Sequence, residues 1–477
     1  MKIVIRNLSV MLGLLLLLSS CEDFLVKEPV LQQTSELTLS TMSGLSNATT
    51  GAYTPLYGVN WYGSSFVLSS EMRGGNGKTP PQNAGYQADP YIWNYTANST
   101  ENLWGTAYTS IARANNVINA IPEYEGSEAD KAELEHYEAE CLFIRAIAHF
   151  DLVRLYAQPY TYDKTMLGVP IVLETEMGEP ARNTIEEVYA QVITDLKDAE
   201  TLFGTYTRDG GADATAFATK EAAQALLARV YLTMGDWDNA AVYATKVISS
   251  GKYTMWTADQ YVTVSENTDG AWGREAEGSE VIFSIYSSLG STGFPGQEGI
   301  PYMTNEGGHG DAATSNDLLS LFEAGDVRRD LFSTSTDPVN AGIEWTKKYP
   351  SKTGDFNTNN TPVLRLSEMY LTRAEAIYNG ASVDGVTALD DYNMVRTNRG
   401  LTARTQALSA AEIANERRRE LCFEGQNFFD LARTGTSLVR TDFAATVNQN
   451  ITFPGDAWAI PIPVGEINAN ENMVQNP

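Results

Sequence analysis

The carboxylates best placed for acid–base chemistry lie in one short segment near the C-terminus. Glu416 and Glu420 are four residues apart, and Arg417 and Arg419 lie between them. On a helix, this spacing places the two carboxylates on one face, one turn apart. Such a pair could serve a glycosidase, but the interleaved arginines favour an ion network that packs helices together. We therefore interpret these four residues as scaffold, and predict no catalytic residue among them.

Other patterns typical of enzymes are missing from the sequence. Asp430 and Arg433 are one helical turn apart and also fit an ion pair. The chain contains no GxSxG, no phosphate-binding loop and no HExxH. Its three histidines, His136, His149 and His309, show no paired i, i+4 spacing, so nothing indicates a zinc site. We expect a protein that is not an enzyme, that uses no cofactor and that has no metal among its site residues; whether a structural metal ion binds stays open.

Cys21 is the residue whose position most clearly predicts a modification. It follows a basic start, the apolar run from Val10 to Leu18, and then Ser19 and Ser20. The apolar run is too short to anchor the chain across a bilayer. The order resembles the bacterial lipobox, in which the cysteine is diacylated and becomes the new N-terminus. We expect residues 1–20 to be a signal peptide that is removed and Cys21 to carry the lipid; the alternative is an ordinary secretory signal with a chance cysteine.

The overall composition restricts the partners. The chain has 477 residues, 43% of them apolar, which is enough for a large buried core. Its 60 acidic and 33 basic residues give a formal charge of -27, which disfavours nucleic acid as a ligand. Cys141 and Cys422 lie among apolar helical neighbours and are predicted to be buried thiols, although a disulfide between them stays open.

Aromatic and amide side chains collect in two segments that are rich in glycine, at about 56–100 and 256–361. Neither segment shows a sustained period, so both are predicted to be long irregular loops. Sugars bind on flat aromatic faces and hydrogen-bond to amides and carboxylates, which these segments supply. For each aromatic residue, the alternative is that it fixes its loop to the protein body. The candidates are Trp61, Tyr62, Glu71, Arg73, Asn76, Tyr91 and Trp93, and then Trp272, Phe294, Gln297, Glu298, Tyr302 and Asn305. The preferred ligand-binding residues are Trp61, Tyr62, Asn76, Trp93 and Trp272.

The elements that must hold these loops are helices. Apolar residues recur every three or four positions from Leu134 to Leu155, which predicts a long helix that ends before Pro159. The acidic residues and Arg154 fall mostly outside this apolar stripe. The same periodicity indicates a helix at 103–121. It also indicates a helix that begins with a capping box at Thr184.

Further segments predict helical pairs. The stretch from Ala218 to Tyr253 indicates a helix, a Gly235-Asp236 turn and a helix, near the ~34 residues of a tetratricopeptide unit. Helices are also predicted after residue 362, including one that begins with a capping box at Ser409, and a short strand is predicted at 280–286. Asp23 to Pro55 is interpreted as an extended tether. The pattern therefore indicates an all-α array of helix pairs with a few short strands.

Several segments together resemble one known family. They are CEDFLVKEP, AECLFIRAIAHFDLVRLYAQPY, AAQALLARVYLTMGDWDNAAVYATKVISSGKY, RLSEMYLTRAEAIYN, NMVRTNRGL, ERRRELCFEGQNFFDLARTG and AIPIPVGEINANENMVQNP. In this order they are similar to the SusD/RagB family of nutrient-binding lipoproteins of Bacteroidetes. The likeness runs from Cys21 to Pro477. Two local departures are Cys422, where the family more often has a small residue, and Gln426-Asn427, which replaces the usual His-Arg.

The resemblance implies a fold and a function. It implies one domain over 21–477, built on four tetratricopeptide-type helix pairs at about 100–255 and 362–435, with the loops as ligand face. It implies a lipid-anchored protein on the cell surface, and Glu22 and Asp23 look like the acidic export signal of such lipoproteins. The implied partners are a SusC-type TonB-dependent transporter, which the protein covers as a lid, and an oligosaccharide. The alternatives are a peptide ligand, as in the RagB branch, a surface glycoside hydrolase and a pure protein scaffold.

Overall fold

The structure is a computed structural model of the chain. It describes residues 38–100, 102–208, 215–266, 279–286, 298–349, 359–444 and 448–477. Cys21, Trp272, Phe294 and Gln297 lie outside the described residues, and so does the start of the predicted tether.

Helices dominate the described residues, as the sequence predicts. In chain order they are α1 Met42–Tyr57, α2 Ser65–Arg73, α3 Ala88–Ile92, α4 Leu103–Ala120, α5 Lys131–Tyr156, α6 Tyr160–Asp163, α7 Ile185–Leu202, α8 Lys220–Met234, α9 Trp237–Ser249, α10 Ala258–Glu266, α11 Ile300–Met303, α12 Asn316–Leu319, α13 Leu366–Tyr378, α14 Ala388–Thr397, α15 Ala410–Glu420, α16 Asn427–Arg433 and α17 Val464–Ala469. Within this part of the chain, no helix combines the length and the apolar character needed to cross a membrane.

The long helices form a linear array. Helix α1 packs on α4, α4 on α5, α5 on α7, α7 on α8, α8 on α9, α9 on α13 and α13 on α14. Each helix therefore closes its apolar face against the next, which is how tetratricopeptide-type repeats bury a continuous core. Helices α15 and α16 lie beside this array, with α15 on α13 and α16 against α2 and α8. The predicted all-α helix-pair array is confirmed.

The helix starts follow the predicted capping chemistry. The Thr184 hydroxyl accepts from the Glu187 amide, and the Glu187 carboxylate accepts from the Thr184 amide, so the capping box is complete. Ser409 and Glu412 form the same reciprocal pair at the start of α15. Each box satisfies amide donors that the first turn of a helix leaves unpaired.

Helix α5 is the centre of the core. From His136 to Tyr156 every residue except Glu138 is buried. The apolar stripe is in the core as predicted, but the expectation that Arg154 lies outside the buried face is wrong. Arg154 is buried because Asp151 pairs with it and because its guanidinium lies over the rings of Phe150 and Phe429, 4.1 Å and 4.2 Å from their centroids. Pairing of this kind makes it possible to bury a charge.

The strands are short and lie among the loops. They are β1 Gly77–Lys78, β2 Val281–Ile285, β3 Ala313–Thr314, β4 Phe332–Thr334, β5 Glu344–Thr346, β6 Thr361–Arg365, β7 Leu438–Val439 and β8 Asn450–Ile451. One sheet has the antiparallel order β1-β3-β5-β4, and β2 pairs with β6 as β7 pairs with β8. The four-stranded sheet joins the first glycine-rich segment to the second, which brings the two predicted loop regions together.

Two sequence predictions about helices need correction. The polar segment interpreted as an extended tether ends in helix α1, where Leu45, Ala52 and Leu56 are buried and the helix packs against α4 and α5. Helix α2 lies inside the first predicted loop region. The periods of these helices are obscured by glycine, serine and proline, while tertiary burial stabilises them.

The segment from Ala410 to Arg433 contains a break that the periodicity does not show. Helix α15 ends at Glu420, and the chain turns through Phe423 and Gly425, at φ of 61° and 74°, before α16 begins. Gly425 has a left-handed backbone conformation, which side chains rarely adopt. A Cβ at this position would also lie 3.1 Å from the Cα of Val67. Glycine is therefore required at this turn for both space and conformation.

The carboxylate pair Glu416 and Glu420 belongs to a buried ion network. Glu420 lies at its centre, with Oε1 2.8 Å from Arg399 Nη2 and 3.0 Å from Arg365 Nη1. The network joins α15 to β2, β6 and the segment before β4. Basic and acidic members are equal in number among the described residues, so the formal charge is balanced. The members are Arg328, Lys348, Arg365, Arg399 and Arg419 with Glu280, Asp326, Glu416, Glu420 and Glu424. The predicted ion network is confirmed for Glu416, Arg419 and Glu420, whereas Arg417 pairs with Glu375 and Asp430 outside this network.

Candidate functional site

Trp61 and Tyr62, two of the preferred ligand-binding residues, lie in the core. The indole Nε1 of Trp61 donates to Asp151 Oδ2 at 2.8 Å, and the Tyr62 hydroxyl donates to the same oxygen at 2.7 Å. Trp61 has no exposed surface and Tyr62 is 2% exposed. Because their polar atoms bond to a carboxylate of α5, both side chains fix the turn between α1 and α2 to the array. The expectation that they are exposed on a ligand-binding loop is wrong.

Asn76 is also buried and has a structural role. Its Nδ2 donates to Glu71 Oε2 at 2.7 Å, and its Oδ1 accepts from Arg418 Nε at 2.6 Å. Glu71 accepts in addition from the backbone amide of Gly425 at 2.7 Å. The Asn76 carboxamide therefore bridges Glu71 and Arg418, and both its nitrogen and its oxygen form hydrogen bonds within the protein. Asn76 is therefore not exposed in this structure, and its ligand-binding role stays a prediction.

Trp93 closes the same interior. It is 7% exposed, and its ring packs at 5.1 Å on Trp458 and at 5.6 Å on Phe428, measured between ring centroids. Trp93 is therefore a buried residue and not an exposed loop aromatic, and Trp104 and Trp458 are buried as well. The predicted role of Trp272 is untested, because this residue lies outside the described residues.

The loops do form a cavity, which we name the loop cleft. It has a volume of about 560 Å³, within the range of small-molecule sites. Three parts of the chain meet there: the segment from β1 to α3, the start of β5, and the segment after β7. Its lining residues are Lys78, Thr79, Pro80, Pro81, Asn83, Ala88, Tyr91, Ile92, Ile343, Asp442 and Ala444.

One wall of the loop cleft is a loop that a buried carboxylate holds in place. Asp311 is fully buried, and its two oxygens accept from the backbone amides of Ala84 at 2.7 Å and Tyr86 at 2.6 Å. Asn340 accepts from the Gln82 amide at 3.5 Å. The loop is thus fixed by residues more than two hundred positions away along the chain, so its exposed side chains are presented in a defined geometry.

Tyr86 is the exposed aromatic side chain of this loop. Tyr86 is 50% exposed, and the centroid of its ring lies 4.8 Å from that of His309, which in turn lies 4.9 Å from that of Tyr302. Beside it, the exposed Asn83 amide donates from Nδ2 to the Pro80 carbonyl, and in the described structure its Oδ1 has no hydrogen-bond partner. The loop thus carries an exposed, supported aromatic ring and, three residues before it, an exposed amide, and both kinds of group are suited to a sugar.

Sequence reasoning missed both residues. Tyr86 lies between Gly85 and Gln87 in a polar turn, and a tyrosine among exposed small and polar residues is the signal that could have identified it. Tyr91, a candidate of the first segment, borders the cleft, but its hydroxyl accepts from the Ala444 amide at 3.0 Å. Burial raises the pKa of this hydroxyl above its usual value.

The base of the loop cleft carries a paired charge. Lys78 Nζ lies 2.6 Å from Asp442 Oδ2, which also accepts from the Asn316 amide. Because each charge has its partner, the lining of the cleft has no net charge. It can offer hydrogen bonds to hydroxyl groups, without a preference for a charged ligand.

A second cavity, the helix groove, lies among helices α9, α13, α15 and α16 and strand β7. It has a volume of about 740 Å³. The predicted pairing of Asp430 with Arg433 is confirmed there, with 2.7 Å between Oδ1 and Nε. Aromatic, amide and charged side chains line the groove, among them Trp237, Tyr378, Asn415, Glu375, Arg417, Arg418, Asp430 and Arg433.

The two remaining cysteines are free thiols and both are buried. Burial raises the pKa of the Cys422 thiol to about 12, and it raises that of Cys141 as well. Both thiols are therefore uncharged at neutral pH and behave as small apolar residues.

Comparison with known proteins agrees with this architecture. Residues 23–232 match a family model described as "Starch-binding associating with outer membrane", and residues 333–477 match the model of the SusD family. A SusD superfamily protein from Bacteroides thetaiotaomicron is 30% identical, with a TM-score of 0.82 over 92% of this chain and 100% of that one. One from Bacteroides vulgatus is 28% identical, with a TM-score of 0.81 over 92% and 99%.

A sequence relative carries a function in its name. The starch-binding protein SusD of Bacteroides thetaiotaomicron is 31% identical over 158 residues, which are 31% of this chain and 28% of that protein. The chain thus aligns with less than a third of that protein's length.

The helix array, the short strands and the loop cleft define a helical protein with a cleft held on its surface. The chain belongs to the SusD family. The family assignment made from the sequence segments is therefore confirmed.

Proposed function

We propose that the protein is a cell-surface lipoprotein of the outer membrane that binds an oligosaccharide and delivers it to a SusC-type TonB-dependent transporter. The observation that carries the proposal is the loop cleft, a cavity of about 560 Å³ with no net charge, one wall of which is the loop that carries the exposed residues Asn83 and Tyr86. Membership of the SusD family supports it, because one family model is described as starch-binding.

The lining of the loop cleft favours binding over catalysis. A glycosidase requires two carboxyl groups about 5–9.5 Å apart on either side of the scissile bond. Asp442 is the carboxylate of the cleft, and it is neutralised by Lys78. The carboxylate pair Glu416 and Glu420 lies in the buried ion network. We therefore propose that the protein is not an enzyme; release of reducing ends from a glycan by the purified protein would contradict this.

Replacing Tyr86 with alanine tests the ligand site. We expect an affinity loss of about tenfold for the bound polysaccharide, because stacking of a sugar face on the ring contributes about 1.4 kcal/mol. Affinity electrophoresis in gels that contain one polysaccharide of a panel measures the change. Tyr162, which is exposed to 48%, is the matched control, because Tyr162→Ala removes a similarly exposed side chain that lies outside the loop at the wall of the cleft.

The results of this experiment separate the alternatives. Equal retardation of the wild type and Tyr86→Ala would remove Tyr86 from the site. Retardation by none of the polysaccharides, together with binding of peptides in solution, would favour the peptide-binding alternative of the RagB branch.

The lipid anchor is tested at Cys21. The Cys21→Ala variant has no thiol to acylate, so we expect it to lose palmitate labelling and to leave the membrane fraction almost completely. Fractionation of cells and metabolic labelling measure both effects. Cys422→Ala is the control, because Cys422 is buried in the fold and its replacement should leave the anchor unchanged. Retention of label in Cys21→Ala would contradict the assignment.

The transporter is the partner we propose for the helical scaffold. The protein would act as a lid that closes over the ligand and opens to admit the next one. Co-purification with a TonB-dependent barrel from solubilised outer membranes tests this partnership. A protein that binds glycan but never co-purifies with such a barrel would contradict the delivery role, whereas one that co-purifies and binds no ligand would be a scaffold.

A further inference from the structure

We propose that the helix groove is a second binding site, and that it takes a saccharide bearing a carboxylate, such as a hexuronic acid residue, through Arg418. The groove is a cavity separate from the loop cleft, and the two share no lining residue. The choice of a saccharide as the ligand class rests on the proposed function.

The charge of the groove is opposite to that of the chain. Its lining contains the three arginines at positions 417, 418 and 433 and the two carboxylates of Glu375 and Asp430, which gives a net charge of +1. The whole chain has a formal charge of -27. Charges beyond about 8 Å are largely screened at physiological ionic strength, so the local arginine decides which ligand binds.

Of the three arginines that line the groove, Arg418 is the one that has no ion pair among the described residues. Arg417 and Arg433 each pair with Asp430 and Glu375. Among the described residues, no carboxylate lies within ion-pair distance of Arg418. Its Nε donates to Asn76 Oδ1 at 2.6 Å and its Nη2 donates to the Gly75 carbonyl at 3.0 Å.

These two bonds fix the guanidinium and leave one nitrogen unused. Nη1 of Arg418 has no hydrogen-bond partner among the described residues, and the residue is partly exposed in the groove. Burial lowers the pKa of Arg418, and the acids that oppose this effect, Asp317 and Glu71, form no ion pair with it. A carboxylate ligand would supply the missing charge-assisted hydrogen bond.

The rest of the lining is suited to a sugar ring. Tyr378 is 43% exposed, and Trp237 is a second aromatic side chain of the groove. Asn415 is partly exposed, and in the described structure its carboxamide has no hydrogen-bond partner. The groove thus combines aromatic surface, a free amide and an unpaired cation in a volume of about 740 Å³.

The test is calorimetric titration of the full mature protein with a galacturonate trisaccharide and with its neutral methyl ester. We expect the acid to bind at least about tenfold more tightly than the ester, and its binding to weaken as salt is raised. Arg418→Gln should reduce affinity for the acid by at least about tenfold. Because Arg418 also bonds to Asn76, the rim variant Tyr378→Ala is tested as well, with an expected loss of about fivefold.

Equal affinities for acid and ester, or binding of the acid that neither variant weakens, would overturn the proposal. Binding of triglutamate with no binding of the trisaccharide would also overturn it, in favour of an acidic peptide. The Arg418→Gln and Tyr378→Ala variants should keep the polysaccharide binding that depends on Tyr86. Loss of function at the loop cleft would therefore be distinguished from loss at the helix groove.

Discussion

Replacing Glu420 with alanine is expected to lower the free energy of unfolding by about 3–5 kcal/mol. This carboxylate is fully buried and contacts the guanidinium groups of Arg328, Arg365 and Arg399. Its removal leaves buried positive charges that the remaining acids compensate only in part, and the penalty of an unpaired buried charge is large. Urea denaturation followed by circular dichroism measures the change.

A matched control separates this effect from the general loss of a carboxylate. Glu128 has a side chain that is 91% exposed and lies 4.0 Å from Lys131, so Glu128→Ala should change stability by less than about 0.5 kcal/mol. A similar small change for Glu420→Ala would show that the ion network does not hold α15 in place.

The same residue makes stability depend on pH. Burial alone would raise the pKa of the Glu420 carboxyl, but Arg399 and Arg365 outweigh burial and hold the pKa well below its usual value. The stabilisation is therefore complete above the unfolded pKa of about 4.3 and is lost as the pH falls through the depressed value. In Glu420→Ala, this contribution to acid unfolding should be absent.

Replacing Asp151 with alanine is the second change expected to have a large effect, also about 3–5 kcal/mol. The variant removes the acceptor of Trp61 Nε1 and of the Tyr62 hydroxyl, and it also removes the ion pair of Arg154. Three donors, one of them charged, would then remain buried without this partner. Thermal and urea unfolding of the purified variant measure the loss.

Tyr62→Phe provides the graded comparison. It removes one hydroxyl but keeps the ring and Asp151, so the expected loss is about 1 kcal/mol. If Asp151→Ala left stability unchanged and instead weakened ligand binding, the core role of Trp61 and Tyr62 would be wrong and their predicted ligand role would regain support.

These two buried clusters explain why the loops can carry a defined site. Asp151 fixes the turn between α1 and α2, and the ion network fixes α15 to the strands β2 and β6. The turn at Gly425 lies against α2, where Glu71 accepts its amide. The scaffold thus holds the elements that flank the loop cleft and the helix groove.

The sequence by itself determined the helical architecture and the family. Helix periodicity is a local property, so the positions of α4, α5, α7, α8 and α9 could be predicted from the spacing of apolar residues. Capping boxes are also local, since Thr184 and Glu187 are three residues apart. The ion pairing of Glu416 and Asp430 followed from spacing and charge in the same way.

Only the tertiary structure decided which side chains are exposed. Trp61 and Tyr86 are both aromatic residues near glycines in the same segment, and local pattern does not separate them. Trp61 is buried because Asp151, 90 residues away, accepts its indole hydrogen, whereas Tyr86 is exposed because Asp311 holds its loop at the surface from 225 residues away. Burial is set by such long-range partners, and these are not encoded in the spacing of neighbouring residues.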